Sequence, residues 1–254
     1  MKSSLGAQCD DFYASSRLSL KLDLSLSRET ILQFFERIQR DYPTMRRLRR
    51  RNDGGLTLGE GDPDTRESES RRWVRLELPS LRFGFFAPPT PAAWRQFGVG
   101  LLTYAPYYLS INDLDIEHLE ITYGFDMEYS GNHDQLVADT LLGSHPLANL
   151  LAGEECQHVI DCQPYLGIAL TPECDVQAYM EVKSRTSTFE VRTNDYEPQL
   201  LSVYLTVRRY WGFDRERPLA EAFAQLADAA DELAIRRVVP RLVNPLAQAI
   251  ASRP

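Results

Sequence analysis

The sequence predicts an α+β protein: mainly antiparallel sheet, with helices packed on one face, in two similarly organised halves. Three observations carry this expectation. Residues 17–26, RLSLKLDLSL, alternate without a break, with Leu18, Leu20, Leu22, Leu24 and Leu26 on one side and Arg17, Ser19, Lys21, Asp23 and Ser25 on the other. Residues 119–129, LEITYGFDMEY, alternate in the same way. Successive side chains leave a strand on opposite faces, so a period of two marks a half-buried strand. Each strand is then followed by a helical pattern and a proline at the same distance: Leu18 to Pro43 and Ile121 to Pro146 are both 25 residues apart. A possible internal duplication follows from that order, with Phe83-Gly84-Phe85 matched to Trp211-Gly212-Phe213.

The elements follow in order. Residues 1–14 read as a flexible N-terminal tail. Ser27 offers an N-cap oxygen to a helix whose buried stripe is Ile31, Phe34, Phe35 and Ile38, and which must stop before Pro43. Asn52, Asp53, Gly54 and Gly55 tolerate positive φ and mark a hairpin turn. A polar loop spans 61–70, and strands are expected at about 71–78 and 81–86. A helix starts near Pro91, carries Trp94, Phe97, Leu101 and Tyr104, and is expected to end at Pro106. The first half thus covers 15–111 and the second 112–254, and the two are expected to form one unit. In the second half, Asn132 caps a short helix, and strands are expected near 156–163, 165–171, 176–184, 187–193 and 200–211. A long helix opens at Pro218, where a missing N–H does no harm, and Asn244-Pro245 opens a last short one.

This layout resembles a sporadically distributed bacterial family of uncharacterised proteins of about 250 residues. The resemblance rests on Asp41-Tyr42-Pro43 at the end of the first helix, on the strand LEITYGFDMEY, on the acid-bearing AYMEVKSR, and on the long closing helix. The family's Arg-rich mid-chain strand is absent. The resemblance implies a two-part α/β fold, and it transfers no catalytic residue.

Composition bounds the function. The chain has 254 residues, 43% hydrophobic and 25% charged, enough to bury a core. Its apolar runs are broken well before the roughly 18 residues of a membrane span, and the first residues lack an apolar signal segment. With four cysteines, Cys9, Cys156, Cys162 and Cys174, the expectation is reduced thiols in a cytoplasmic protein. A net charge of −8 argues against a general nucleic-acid binder.

Four candidate sites stand out. In EECQHVIDCQ, residues 154–163, a straight strand would separate Cys156 from Cys162 by about 20 Å, too far for a disulfide. Only Cys156 and His158 could share a zinc, and buried thiols are the expected reading. Asp113, Asp115 and Glu117 share a parity that could serve a divalent cation or a carboxylate-dependent, hydrolase-like enzyme. His118 and Glu120 lack a nearby nucleophile. Arg46, Arg47, Arg49, Arg50 and Arg51 form a basic cluster that could hold phosphates, as in a nucleic-acid accessory, or could guard a sheet edge. The acids just after it could neutralise it.

The favoured site is the sheet face opposite the leucines. It would carry Trp73, Arg75 and Glu77; Tyr179, Glu181, Lys183 and Arg185; and Tyr204, Thr206, Arg208 and Tyr210. Antiparallel sheets often leave one face to water, and Trp, Tyr and Arg dominate binding hot spots. The sequence therefore points to a binding or interaction module for a protein or small-ligand partner, with no catalytic residue and no cofactor assigned.

Overall fold

A computed structural model describes residues 4–24, 27–61, 70–150, 158–212 and 218–253. Its centre is a pair of long antiparallel strands, β1 (Asp11–Leu20) and β6 (Ile116–Tyr129), in the register Arg17 to Glu120 and Tyr13 to Gly124. The remaining strands are β2 (Arg47–Arg50), β3 (Leu56–Gly59), β4 (Arg71–Glu77), β5 (Ser80–Phe86), β7 (Tyr165–Ala169), β8 (Val176–Lys183) and β9 (Gln199–Tyr210). Together they form one nine-stranded sheet in the order β2-β3-β4-β5-β1-β6-β9-β8-β7, antiparallel throughout.

In both halves the first strand lies beside the last, and a meander runs outward from there. The proposed duplication marker fails, however. Gly84 sits inside β5, opposite Ser15 and Trp73, whereas Gly212 follows the end of β9 at φ +99°.

The helices cover one face. They are α1 (Arg28–Asp41), α2 (Pro91–Leu109), α3 (His133–Val137), α4 (Thr188–Thr193), α5 (Leu219–Leu233) and α6 (Asn244–Ser252). Residues 234–243 carry α5 into α6 as wider π turns around Pro240, which has no N–H for the regular ladder. No described helix is long and apolar enough to cross a membrane.

The core lies between sheet and helices. Phe223 of α5 packs on Phe83 and Trp94 at ring distances of 5.6 and 5.5 Å, and Phe97 of α2 meets Phe83 at 5.9 Å. Leu18, Ile121, Val203 and Leu205 lie beneath them, fully buried. Tyr123, almost fully buried, donates from its hydroxyl to Asp231 Oδ1 at 2.7 Å and ties β6 to α5.

Several boundaries depart from the sequence expectation. The first strand begins at Asp11, so part of the segment read as tail is in the sheet, and Leu5 and Cys9 are buried. It ends at Leu20 because its neighbours end there: Ser19 faces Ser80, the first residue of β5. Leu22 is 68% exposed. Helix α2 runs past Pro106 to a left-handed cap at Ser110, because the proline sits in the last turn and its carbonyl still accepts from Ser110 N–H. Residues 187–193, expected as a strand, form α4. Ser187 and Glu190 make a capping box there, each side chain accepting from the other's backbone N–H.

Candidate functional site

The face opposite the helices is built from alternate residues of the sheet, and strand register places them in rows. One row runs Arg82, Arg17, Glu120, Arg208, Gln177 across β5, β1, β6, β9 and β8. The next runs Gly84, Ser15, Thr122, Thr206, Tyr179, Gly167, and a third runs Phe86, Tyr13, Gly124, Tyr204, Glu181, Tyr165.

Rings lie flat on this face because glycines sit beneath them. A Cβ on Gly84 would stand 2.6 Å from the Trp73 ring, and one on Gly124 would stand 2.3 Å from Tyr13. Tyr179 covers Gly167 in the same way. Each glycine gives up side-chain packing of its own, and the cross-strand ring restores it.

The centre of the face is polar. Arg208 donates through Nε and Nη2 to Glu120 Oε2 at 2.9 and 2.7 Å, and through Nη1 to the Tyr210 hydroxyl at 3.2 Å. Its guanidinium stands 5.5 Å from the Tyr179 ring centre and 5.9 Å from that of Tyr210, within cation–π range. His118 Nε2 is 3.7 Å from Glu120 Oε2. Burial first, then the Arg208 charge, holds the His118 imidazole below the usual histidine range. Thr122 and Thr206 share a hydrogen bond of 2.9 Å.

Toward the other end of β6, Asp126 is 6% exposed. Burial pushes its carboxyl above the usual range, against the pull of Ser202 and Arg185. Tyr13 beside it is driven well above the ordinary phenol range by burial, then by Asp126 and Tyr204.

Among the described residues, six buried side-chain atoms on this face make no hydrogen bond: Arg17 Nε, Ser19 Oγ, Thr57 Oγ1, Arg75 Nε, Asp126 Oδ1 and His118 Nδ1, the last with Glu117 Oε2 at 3.5 Å. Native proteins pair nearly all such groups, so a cluster of exceptions calls for an explanation. At the β2 end the same face opens into a hollow of about 380 Å³, lined among others by Arg47, Arg49, Arg51, Arg71, Arg75 and Trp73.

The face residues read from sequence do not form one cluster. Tyr179, Arg208 and Tyr210 are in mutual contact, with Glu181 and Tyr204 paired across β8 and β9 one row away. Trp73 and Arg75 lie on β4, four strand spacings from β9, or about 19 Å. Arg75 is held by Asp53 at 2.5 Å and Glu77 at 2.7 Å. Arg185 follows β8 rather than lying in it, and its guanidinium binds Ser202 Oγ at 2.9 Å and the Leu200 carbonyl. Arg17, Glu120 and His118 complete the centre. Only the β1–β6 register joins them, and no local pattern in the sequence reveals that register.

The other candidates do not assemble. Asp113 and Asp115 lie in a 3₁₀ turn rather than a strand, so they share no face with Glu117, and Asp115 Oδ2 is occupied by Asn112 N and Nδ2 at 2.9 and 3.1 Å. Cys156 lies outside the described residues. The strand expected at 156–163 is absent over the described residues 158–163, and His158 is exposed. That segment is held instead by the start of α3: Asn132 Nδ2 donates to Val159 O, Val159 N donates to Gln135 Oε1, and Cys162 N donates to Asp134 Oδ1. Cys162 is half-buried, and burial raises its thiol. Ser184 donates directly to Asp134 at 2.8 Å, while His133 contacts Tyr129 O and Arg185 N, so no serine–histidine relay forms there. Among the described residues, no three His, Cys, Asp or Glu side chains converge as a metal site. The arginines of 46–51 lie on and around β2, an edge strand of the sheet.

No family model matches the chain, and neither does any curated protein. Among solved structures, the di-domain ARO/CYC BexL from the BE-7585A biosynthetic pathway is similar over 82% of this chain and 80% of that one, at 8% identity and a TM-score of 0.18. A likeness at that level carries no argument about fold or function.

Proposed function

We propose that this chain is a cytoplasmic, non-catalytic binding module whose helix-free sheet face takes an anionic ligand with a planar part. One observation carries the reading: the buried Arg17 Nε, Ser19 Oγ and His118 Nδ1, which lie without a hydrogen bond on the neighbouring strands β1 and β6 of that face. The Nε of Arg17 can only donate, and the Ser19 hydroxyl and the His118 ring can do so. Leaving such groups unpaired costs about 1–3 kcal/mol each, and a ligand rich in acceptors relieves that cost. The Tyr179 ring, seated on Gly167 and stacked with Tyr165 at 5.8 Å, supplies a flat apolar floor beside the Arg208 charge.

The test is thermal shift and calorimetry with inorganic phosphate, citrate and adenosine monophosphate, on the wild type and on an Arg17→Gln/Tyr179→Ala variant. The nucleotide should stabilise the wild type most, less so at high salt, and the variant should lose the response while melting close to wild type. No shift with any of the three, or equal shifts in the variant, rejects the reading.

A second reading places a phosphate-bearing chain, such as a nucleic acid, in the arginine hollow beside Trp73. The net charge of −8 works against it. It requires heparin retention that falls steeply with salt.

A further inference from the structure

The two edges of the sheet are guarded differently. Edge strand β2 reads Arg-Leu-Arg-Arg and is exposed along its length. Charge of that kind discourages pairing with another chain. Edge strand β7 reads Tyr-Leu-Gly-Ile-Ala, with no charge, no proline and no register shift, and with Tyr165 63% and Leu166 59% exposed. Val182 N donates to Pro164 O and Leu170 N to Val176 O, so the even-numbered residues of β7 bond to β8. By the alternation of antiparallel ladders, the N–H and C=O groups of Tyr165, Gly167 and Ala169 point outward. None of them has a backbone partner among the described residues.

Beside this edge, on the helix side, lies a groove of about 330 Å³ floored by Leu166, Ile168, Met180 and Val182, with Arg237 and Arg241 on its rim. Neither arginine has an ion-pair or hydrogen-bond partner among the described residues, whereas the adjacent Arg236 pairs with Glu232 at 3.3 Å.

We propose that β7 accepts an extended segment of a partner protein as a tenth strand, whose groove-side positions carry an apolar residue and an acidic one. The outward backbone groups supply the ladder, the groove takes the apolar side chain, and Arg237 and Arg241 take the carboxylates. A second copy of this chain fits less well. Pairing β7 with itself about a two-fold axis would bring two sets of Arg237 and Arg241 to the same seam, and among the described residues no acid lines the groove to offset them. A small acyl acid would use the groove and arginines but not the row of backbone groups.

The test uses two blocked nine-residue peptides on the full chain. Both carry threonine at alternate positions, and the remaining positions hold valine and glutamate in one, valine and lysine in the other. Fluorescence anisotropy should show the glutamate peptide binding at least tenfold more tightly, with amide exchange slowed at Tyr165, Gly167 and Ala169. An Arg237→Glu/Arg241→Glu variant should reverse the preference. Ala169→Pro removes an outward N–H without touching the β8 ladder, and should abolish binding while the protein still melts cooperatively. The proposal is overturned by equal or absent binding of the two peptides, by an unchanged preference in the glutamate variant, or by slow exchange of the three amides before peptide is added. The last result would mean that the edge is already taken by the chain itself or by a second copy. An Arg17→Gln variant, altered four strands away from β7, should bind the glutamate peptide as the wild type does, which separates this site from the ligand face.

Discussion

Gly98→Ala should destabilise the protein, although alanine is the better helix former. Gly98 lies in α2 where the helix crosses α5, and Phe223 of α5 rests on it. A methyl group there would stand 2.1 and 2.2 Å from two ring carbons of Phe223 and 2.9 Å from a third. Carbon atoms pack at about 3.5–4.0 Å, so the ring would have to retreat by roughly 1.5 Å. It has no room to do so, because Phe83 and Trp94 stand 5.6 and 5.5 Å away, centre to centre, and all three rings are buried. The helix gains about 1 kcal/mol from the substitution. Overpacking typically costs about 1–3 kcal/mol and more where nothing can yield. A net loss of about 2 kcal/mol is expected, which for a chain of this size lowers Tm by about 4–8 °C. Urea and thermal melts measure it. Adding Phe223→Leu should make Gly98→Ala nearly harmless in that background, giving a coupling of at least about 1 kcal/mol in the double-mutant cycle. A Gly98→Ala protein that melts at or above the wild-type temperature would show that the α2–α5 crossing is looser than the ring geometry requires.

Three further outcomes are expected. Asp126→Asn should stabilise the fold at pH 8: burial raises the native carboxyl above its unfolded value, so the stabilising protonated form is complete below the usual carboxylate range and is lost as pH rises through the native value. The difference between variant and wild type should therefore close toward pH 4, and a variant less stable at pH 8 would contradict this. Cys174 holds φ at 59° in the turn between β7 and β8, a region that strains residues with a Cβ; Cys174→Gly should gain about 0.5–1 kcal/mol in urea titration, and a loss would show that the side chain matters more than the backbone. Ser187→Ala removes the cap of α4 and should cost about 1 kcal/mol, with faster amide exchange confined to residues 188–193; unchanged exchange there would show that the helix does not depend on its box.

Much of the sheet was legible in the sequence because alternation is a local property. The strand read at 119–129 is the buried middle and end of β6, and the faces assigned to β4, β8 and β9 follow from their parity alone. Where the reading slipped, the deciding term was not local. Residues 17–26 alternate perfectly, yet the strand stops at Leu20, because a strand lasts only as long as its neighbours offer partners, and β5 supplies none beyond Ser80. Ser187 and Glu190 carried a visible capping signal that the alternation in TFEVRT obscured. The candidate face divides in the same way. That tyrosines and arginines lie opposite the leucines follows from parity; that Arg208 meets Glu120, while Trp73 stands about 19 Å away, follows from strand order and register. The feature that carries the functional proposal lies furthest from the sequence. Ser19, His118 and Arg17 look like ordinary solvated positions on a strand, and only the pairing of β1 with β6 buries their polar atoms without partners. If those atoms exist to meet a ligand, register sets the specificity of the face. A one-residue slip of β1 against β6 would turn Arg17 and Ser19 into the core and remove the site without changing any residue in it.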